Sequence, residues 1–186
     1  SAGARYNVTR GPLRGVGVFA RHVVSDQSID AADPSAFVPN SFTDTVYGAD
    51  YTFWRMKVGG EHQTHDSDVN PFDADRLFAT YTDRIGLSTT LTLNAAYSQI
   101  RYEDPRDQVD LTTASVQLRH QFNTRLSATA VVLYRYETSD LRGTTTGWEE
   151  QVEVQWRHRQ TQVYVTLRNT QLDTDSQDSS FQFVQV

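Results

Sequence analysis

The chain has no cysteine, which excludes a disulfide framework, a thiolate metal site and covalent haem attachment. It has one methionine and a single lysine, Lys57, so nearly all its positive charge is arginine. It lacks any apolar run near the roughly 18 residues that a helical span requires, and its mean hydropathy is -0.56. Transmembrane helices are therefore excluded. A membrane barrel is not, because only alternate residues of a barrel strand meet lipid, and a polar average can hide one wholly apolar face. The formal net charge of -6 over 186 residues, without a concentrated basic patch, argues against a nucleic-acid partner. The chain begins at Ser1 with no signal peptide, so for an exported protein it reads as mature or trimmed sequence.

What is present is alternation. From Leu87 to Tyr97 the odd positions read Leu, Thr, Leu, Leu, Ala, Tyr, opposite small or polar residues from Ser88 to Ser98. Ala114, Val116, Leu118, His120 and Phe122 alternate with Ser115, Gln117, Arg119 and Gln121. A turn at Asn123-Thr124-Arg125 follows, and the apolar set resumes from Leu126 through Tyr136, with Val131 and Leu133 blurring its polar face. Val152, Val154 and Trp156 face away from Gln151, Glu153, Gln155 and Arg157; Val163, Val165 and Leu167 repeat the pattern on the return. Period two of this kind is a strand signal. Weaker versions cover Val16 to His22, Tyr47 to Phe53 and Met56 to Glu61, and Phe181 to Val186 starts one more. The expected fold is a single all-β domain over residues 1–186, an up-and-down antiparallel barrel with about 10–12 strands visible, complete or part of a larger barrel.

The connections are expected to be asymmetric. Short ones fall near Gly11-Pro12, Trp54-Arg55, Arg84-Ile85, Thr124 and Arg159. Long polar ones cover 27–41, 66–75, 104–108, 140–147 and 173–179. Tight turns at one end and long loops at the other are the habit of a barrel crossing an outer membrane. Two faces then acquire roles. Arg119, Arg135, Glu153, Arg157 and Arg168, with Gln117 and Gln155, form the polar face and are the expected pore-lining set, since water satisfies them better than a dry core would. Tyr51, Trp54, Tyr81, Tyr97, Tyr134, Tyr136 and Trp156 belong to the apolar face near strand ends, where an amphipathic ring suits the membrane interface.

These residues resemble the bacterial outer-membrane β-barrels of the porin type, with the hairpin rhythm of the barrels that sheathe multihaem cytochromes. The resemblance implies an outer-membrane location and contact with the bilayer and lipopolysaccharide. It also implies a lumen that passes small hydrophilic solutes or encloses a partner protein, and a neighbouring barrel subunit as a further partner. Two departures are expected to reflect truncation or completion by further chain: an odd strand count, and an end at Val186 without a terminal aromatic.

No nucleophile elbow, phosphate loop or dinucleotide turn is present, and the chain is read as a non-enzyme without a resident cofactor. Asp66, Asp68 and Asn70 open like a calcium loop, but Pro71 and Leu77 stand where such a loop needs glycine and glutamate. Calcium at the acidic loops, including Asp173, Asp175 and Asp178, stays a secondary expectation. His62 and His65 fall on opposite faces of a strand and are not expected to share a metal; His22, His120 and His158 read as interfacial histidines. The alternative function is a soluble all-β structural or adhesive surface module with ion-binding acidic loops.

Overall fold

The structure is a computed structural model, and it describes residues 1–26, 41–67, 70–103, 106–158, 161–174 and 177–185. Eleven strands follow one another as β1 (Ala2–Asn7), β2 (Val16–Asp26), β3 (Ser41–Phe53), β4 (Met56–Ser67), β5 (Phe72–Ile85), β6 (Thr89–Tyr102), β7 (Asp107–Gln121), β8 (Leu126–Ser139), β9 (Gly143–His158), β10 (Thr161–Thr174) and β11 (Gln177–Gln185). All join one antiparallel sheet in sequence order. Among the described residues each strand touches only its neighbours in sequence, so the sheet is a single layer with no second sheet packed on it, and it is open at β1 and β11.

Exposure separates the two faces of this single layer. Along β7, Asp107 and Val109 are buried and Leu111, Thr113, Ser115 and Gln117 half-buried, while Gln108, Thr112, Ala114, Val116 and Leu118 are exposed. In β3, Val46 and Asp50 are buried between exposed Tyr47, Ala49 and Tyr51. With no other layer to cover either face, the more enclosed side is the one toward which the sheet curves. The polar set lines this concave face. The strand-borne large hydrophobic residues that stand exposed, Val18, Tyr51, Leu93, Val116, Val152, Trp156 and Val165 among them, sit on the convex face, with Tyr164 the exception. Concave residues are called inward below, and convex ones outward.

The expected contrast in loop length is not found, apart from residues 27–40, which lie outside the described residues. At one end the strands are joined by residues 8–15, 54–55, 86–88, 122–125 and 159–160; at the other by 68–71, 103–106, 140–142 and 175–176. Apart from 8–15 and 27–40, the connections at both ends are two to four residues long. Segments read as polar loops are strand: β5 starts at Phe72, β7 at Asp107, β9 at Gly143 and β11 at Gln177. The physical reason is that polar residues break a strand only through turn chemistry. Beyond the apolar band both faces are wet, and the ladder continues through Asp, Gln and Thr. What does distinguish the ends is charge. The first set of connections contains Arg10, Arg14, Arg55, Arg125 and Arg159 and no carboxylate; the second, with 27–40, contains Asp30, Asp33, Asp68, Glu103, Asp104, Asp140 and Asp175 against Arg106 and Arg142. They are called the arginine end and the acidic end.

Local chemistry explains the turns. Asn123 Oδ1 accepts from the Arg125 and Leu126 amides at 2.8 and 3.0 Å, closing the β7–β8 hairpin. Trp54 adopts φ 50° in the two-residue β3–β4 turn, where the Arg55 guanidinium lies 5.0 Å from its ring. At the acidic end Asp107 clamps the β8–β9 turn, accepting from Ser139 Oγ at 2.7 Å and the Leu141 amide at 3.3 Å.

Candidate functional site: the inner wall

Register brings the polar residues of all strands onto one surface. Thr80, Asn94 and Ser115 are cross-strand partners on β5, β6 and β7, and their side chains hydrogen-bond in series, Thr80 Oγ1 to Asn94 Oδ1 at 3.0 Å and Asn94 Nδ2 to Ser115 Oγ at 3.1 Å. Beside this ladder a hollow of about 430 Å³ lies over Ala96, rimmed by Glu61, Arg76, Thr113 and Ser115.

The most enclosed charge is Asp50, whose side chain is 1% exposed. Arg5 Nη2 donates to both of its oxygens at 2.7 Å and Lys57 Nζ lies 3.3 Å away. Its cross-strand neighbours are Gly17 and Gly59. A Cβ on Gly17 would stand 2.5 Å from Arg5 Nη2; one on Gly59 would stand 2.7 Å from the Ala49 carbonyl and from Phe78 Cζ. The glycines thus leave the space in which the ion pair and the aromatic rings close over the strand. Arg5 lies 5.6 Å from the Phe19 ring centroid, and Lys57 5.5 Å from that of Phe78, arrangements attractive to a cation. Sequence patterning missed this cluster, because Phe19 and Phe78 break the polar alternation and Arg5 and Asp50 lie far apart in the chain. The only signal was glycine at inward positions of β2, β3 and β4.

Further ion pairs join Arg76 to Glu61 at 3.0 Å, Arg168 to Glu149 at 2.6 Å and Arg135 to Glu137. His65 meets Asp44 at 2.8 Å inside, and His62 meets Asp75 at 2.8 Å outside. The two histidines do stand on opposite faces. His22 and His120 are outward and hydrogen-bond to Thr45 and Thr89; the His158 side chain is outside the described residues.

Every residue of the expected pore-lining set falls on the concave face. Gln117, Arg119, Arg135, Glu153, Gln155, Arg157 and Arg168 share it by register. They are not equivalent: Arg135 and Arg168 are ion-paired, whereas no carboxylate among the described residues pairs with Arg119 or Arg157. The inner wall is also less polar than the alternation implied. Val46 and Val109, at 7% and 3% exposure, are inward, as are Leu111 and Leu133, all toward the acidic end of their strands.

The expected interface aromatics divide between two levels. Tyr51, Trp54, Tyr81 and Trp156 lie toward the arginine end, with Trp54 and Tyr81 centroids 5.9 Å apart. Tyr97, Tyr134 and Tyr136 lie nearer the acidic end, where Tyr134 packs on Trp148 at 4.7 Å. From Trp156 to Trp148 a strand tilted about 40° rises roughly 20 Å, close to the height of the apolar band of such barrels. Glu150 breaks that band, standing outward between Val132 and Asn169. Of the calcium-loop residues, Asp66 is outward on β4 opposite Thr43, Asn70 precedes β5, and Asp68 lies outside the described residues. No group of three or more metal-ligating side chains occurs among the described residues.

No family model matches the chain, and no curated protein matches it. Among solved structures it is similar to a loop L8 deletion mutant of OmpT, an outer membrane protein of Vibrio cholerae, with TM-score 0.62 and 12% identity, over 94% of this chain and 58% of that one. Outer-membrane expressed OmpT of Vibrio cholerae gives TM-score 0.59 and 12% identity over 86% and 52%. The outer membrane channel DcaP of Acinetobacter baumannii gives TM-score 0.57 and 11% identity over 98% and 59%. The chain therefore spans rather more than half the length of each. Its fold is that of the outer-membrane β-barrels, an open part of one, and this fold together with the apolar convex face places it in the bacterial outer membrane.

Proposed function

We propose that the chain forms part of the wall of a water-filled outer-membrane channel for small hydrophilic solutes. The observation that carries this reading is the separation of the two faces of one layer: exposed aliphatic residues on the convex side, ionised and hydrogen-bonding residues on the concave side. Hydrocarbon suits the first and water the second. Lipid and lipopolysaccharide then cover Val116, Val152 and their neighbours, and the two levels of aromatics mark the headgroup regions. Selection is steric and electrostatic, and no catalytic step is assigned to the chain.

A second reading is favoured by one observation. The inward apolar residues Val46, Val109, Leu111 and Leu133 suit a lumen partly filled by protein, either further chain or a separate partner. Full-length protein reconstituted into a planar bilayer separates the two. Stepwise conductance that persists at saturating protein supports the channel; silent insertion, with a heat-modifiable, sheet-rich band on gels, supports the filled lumen and rejects the channel.

A further inference from the structure

The inner wall changes character along its axis. Most inward cations are neutralised: Arg5 and Lys57, near the arginine end of β1 and β4, by Asp50, and Arg76, Arg135 and Arg168, farther from it, by Glu61, Glu137 and Glu149; Arg21, midway along β2, is inward and exposed without an ion pair among the described residues. At the arginine end three inward arginines close three successive strands that run the same way, Arg84 on β5, Arg119 on β7 and Arg157 on β9. All three are exposed, and no carboxylate among the described residues pairs with any of them. Arg84 and Arg119 share one cross-strand row through Thr90, and strands two apart are separated by about 10 Å, so the guanidinium groups form an arc. The inward residues around them are uncharged, Thr82, Thr92, Gln117, Gln121, Ser127 and Gln155, except for Glu153. The turns beyond carry only arginine as charge. At about 0.1 M salt the screening length is about 10 Å, comparable with the spacing of the arc, so the three fields overlap across the mouth.

We propose that this arc is an anion-recruiting zone at one mouth of the lumen, and that it makes the channel electrically asymmetric. The proposal rests on the channel reading. Small anions concentrate beside Arg84, Arg119 and Arg157, where fixed positive charge is not cancelled, whereas farther along the wall the inward carboxylates Asp44, Glu61, Glu137 and Glu149 match the arginines and leave no such excess. A field that drives anions in from the arginine end feeds the neutral half from this enriched pool. The opposite field draws them from bulk solution. Current is therefore larger in the first direction.

The test is single-channel recording of the full-length protein in potassium chloride. At about 0.1 M salt the expected result is a current a few-fold larger when anions enter from the arginine end, together with preference for chloride over potassium. The asymmetry should vanish near 1 M, where screening shortens to about 3 Å. R84Q/R119Q/R157Q should abolish both rectification and anion preference at low salt, and E153Q should increase them. A second variant of opposite sign distinguishes the electrostatic effect from damage to the barrel. Symmetric conduction by the unmodified protein, or rectification untouched by the triple substitution, overturns the proposal and leaves the channel standing. A protein that inserts and passes no current overturns the channel reading and this proposal with it.

Discussion

Val152 and Glu153 are consecutive residues of β9, yet they answer to different solvents. Val152 is 44% exposed on the convex side, while Glu153 is half-covered on the concave side among threonines. The same division runs through Ala114 to Arg119 and through Ala128 to Arg135. In a soluble sandwich the apolar face of such a strand would be the enclosed one, packed on a second sheet. Here the enclosed face is the polar one. The inversion shows that the energy holding this sheet is not a dry core. It comes from the hydrogen-bonded ladder, from inward polar networks such as Thr80–Asn94–Ser115, and from hydrocarbon on the outside.

The largest way to break that contrast is to move charge across it. Val152→Arg places a guanidinium near the middle of the apolar band and should destabilise the protein in lipid vesicles by about 2–4 kcal/mol. The same charge at inward Gln117 should cost no more than about 0.5 kcal/mol. Urea unfolding from vesicles, followed by tryptophan fluorescence, measures both, and equal costs would contradict the assignment of the faces.

A smaller effect sharpens the comparison within the inner wall. Gly59→Ala puts a methyl group against the Ala49 carbonyl and the Phe78 ring and should cost about 1–3 kcal/mol. Asp50→Ala should cost about 1–2 kcal/mol, because Arg5 and Lys57 are 41% and 40% exposed and regain water when their partner is lost. If the two act on one packed cluster, the double substitution should be less than additive in the same unfolding assay.

The smallest effect is local and lies at the acidic end, outside the apolar band. Burial pushes the Asp107 carboxyl up, but the Ser139 hydroxyl, the Leu141 amide and Arg142 outweigh it and hold the group below its ordinary value. A depressed carboxyl stabilises the folded form above its unfolded pKa, and that contribution fades as pH falls through the folded one. Amide exchange at Leu141 and Arg142, corrected for its intrinsic pH dependence, should therefore quicken on acidification below the usual aspartate range. Asp107→Asn should quicken it about tenfold at neutral pH and flatten the pH profile. An unchanged rate would show that Asp107 does not hold the turn.

Much of this was legible from residue order. The alternation from Ala114 to Phe122 and from Gln151 to Leu167 placed Gln117, Arg119, Glu153, Gln155, Arg157 and Trp156 on their observed faces, because a strand's period of two leaves no freedom in which side a residue takes. Loop length was misread. The segment 66–75 has the composition of a polar loop but is strand through Ser67 and again from Phe72, because charge does not end a strand when both faces are wet. The Asp50 cluster was invisible, since Arg5, Asp50 and Lys57 meet only through register across four strands.

The sequence by itself thus determined that the chain is a strand meander with two chemically opposed faces, since alternation is a local property that each strand carries alone. Which face is concave, which arginines keep a carboxylate partner and which stand open at one mouth were decided only by the tertiary structure. Curvature and cross-strand register are properties of the assembled sheet, and a one-residue slip of any hairpin would change every one of those neighbours.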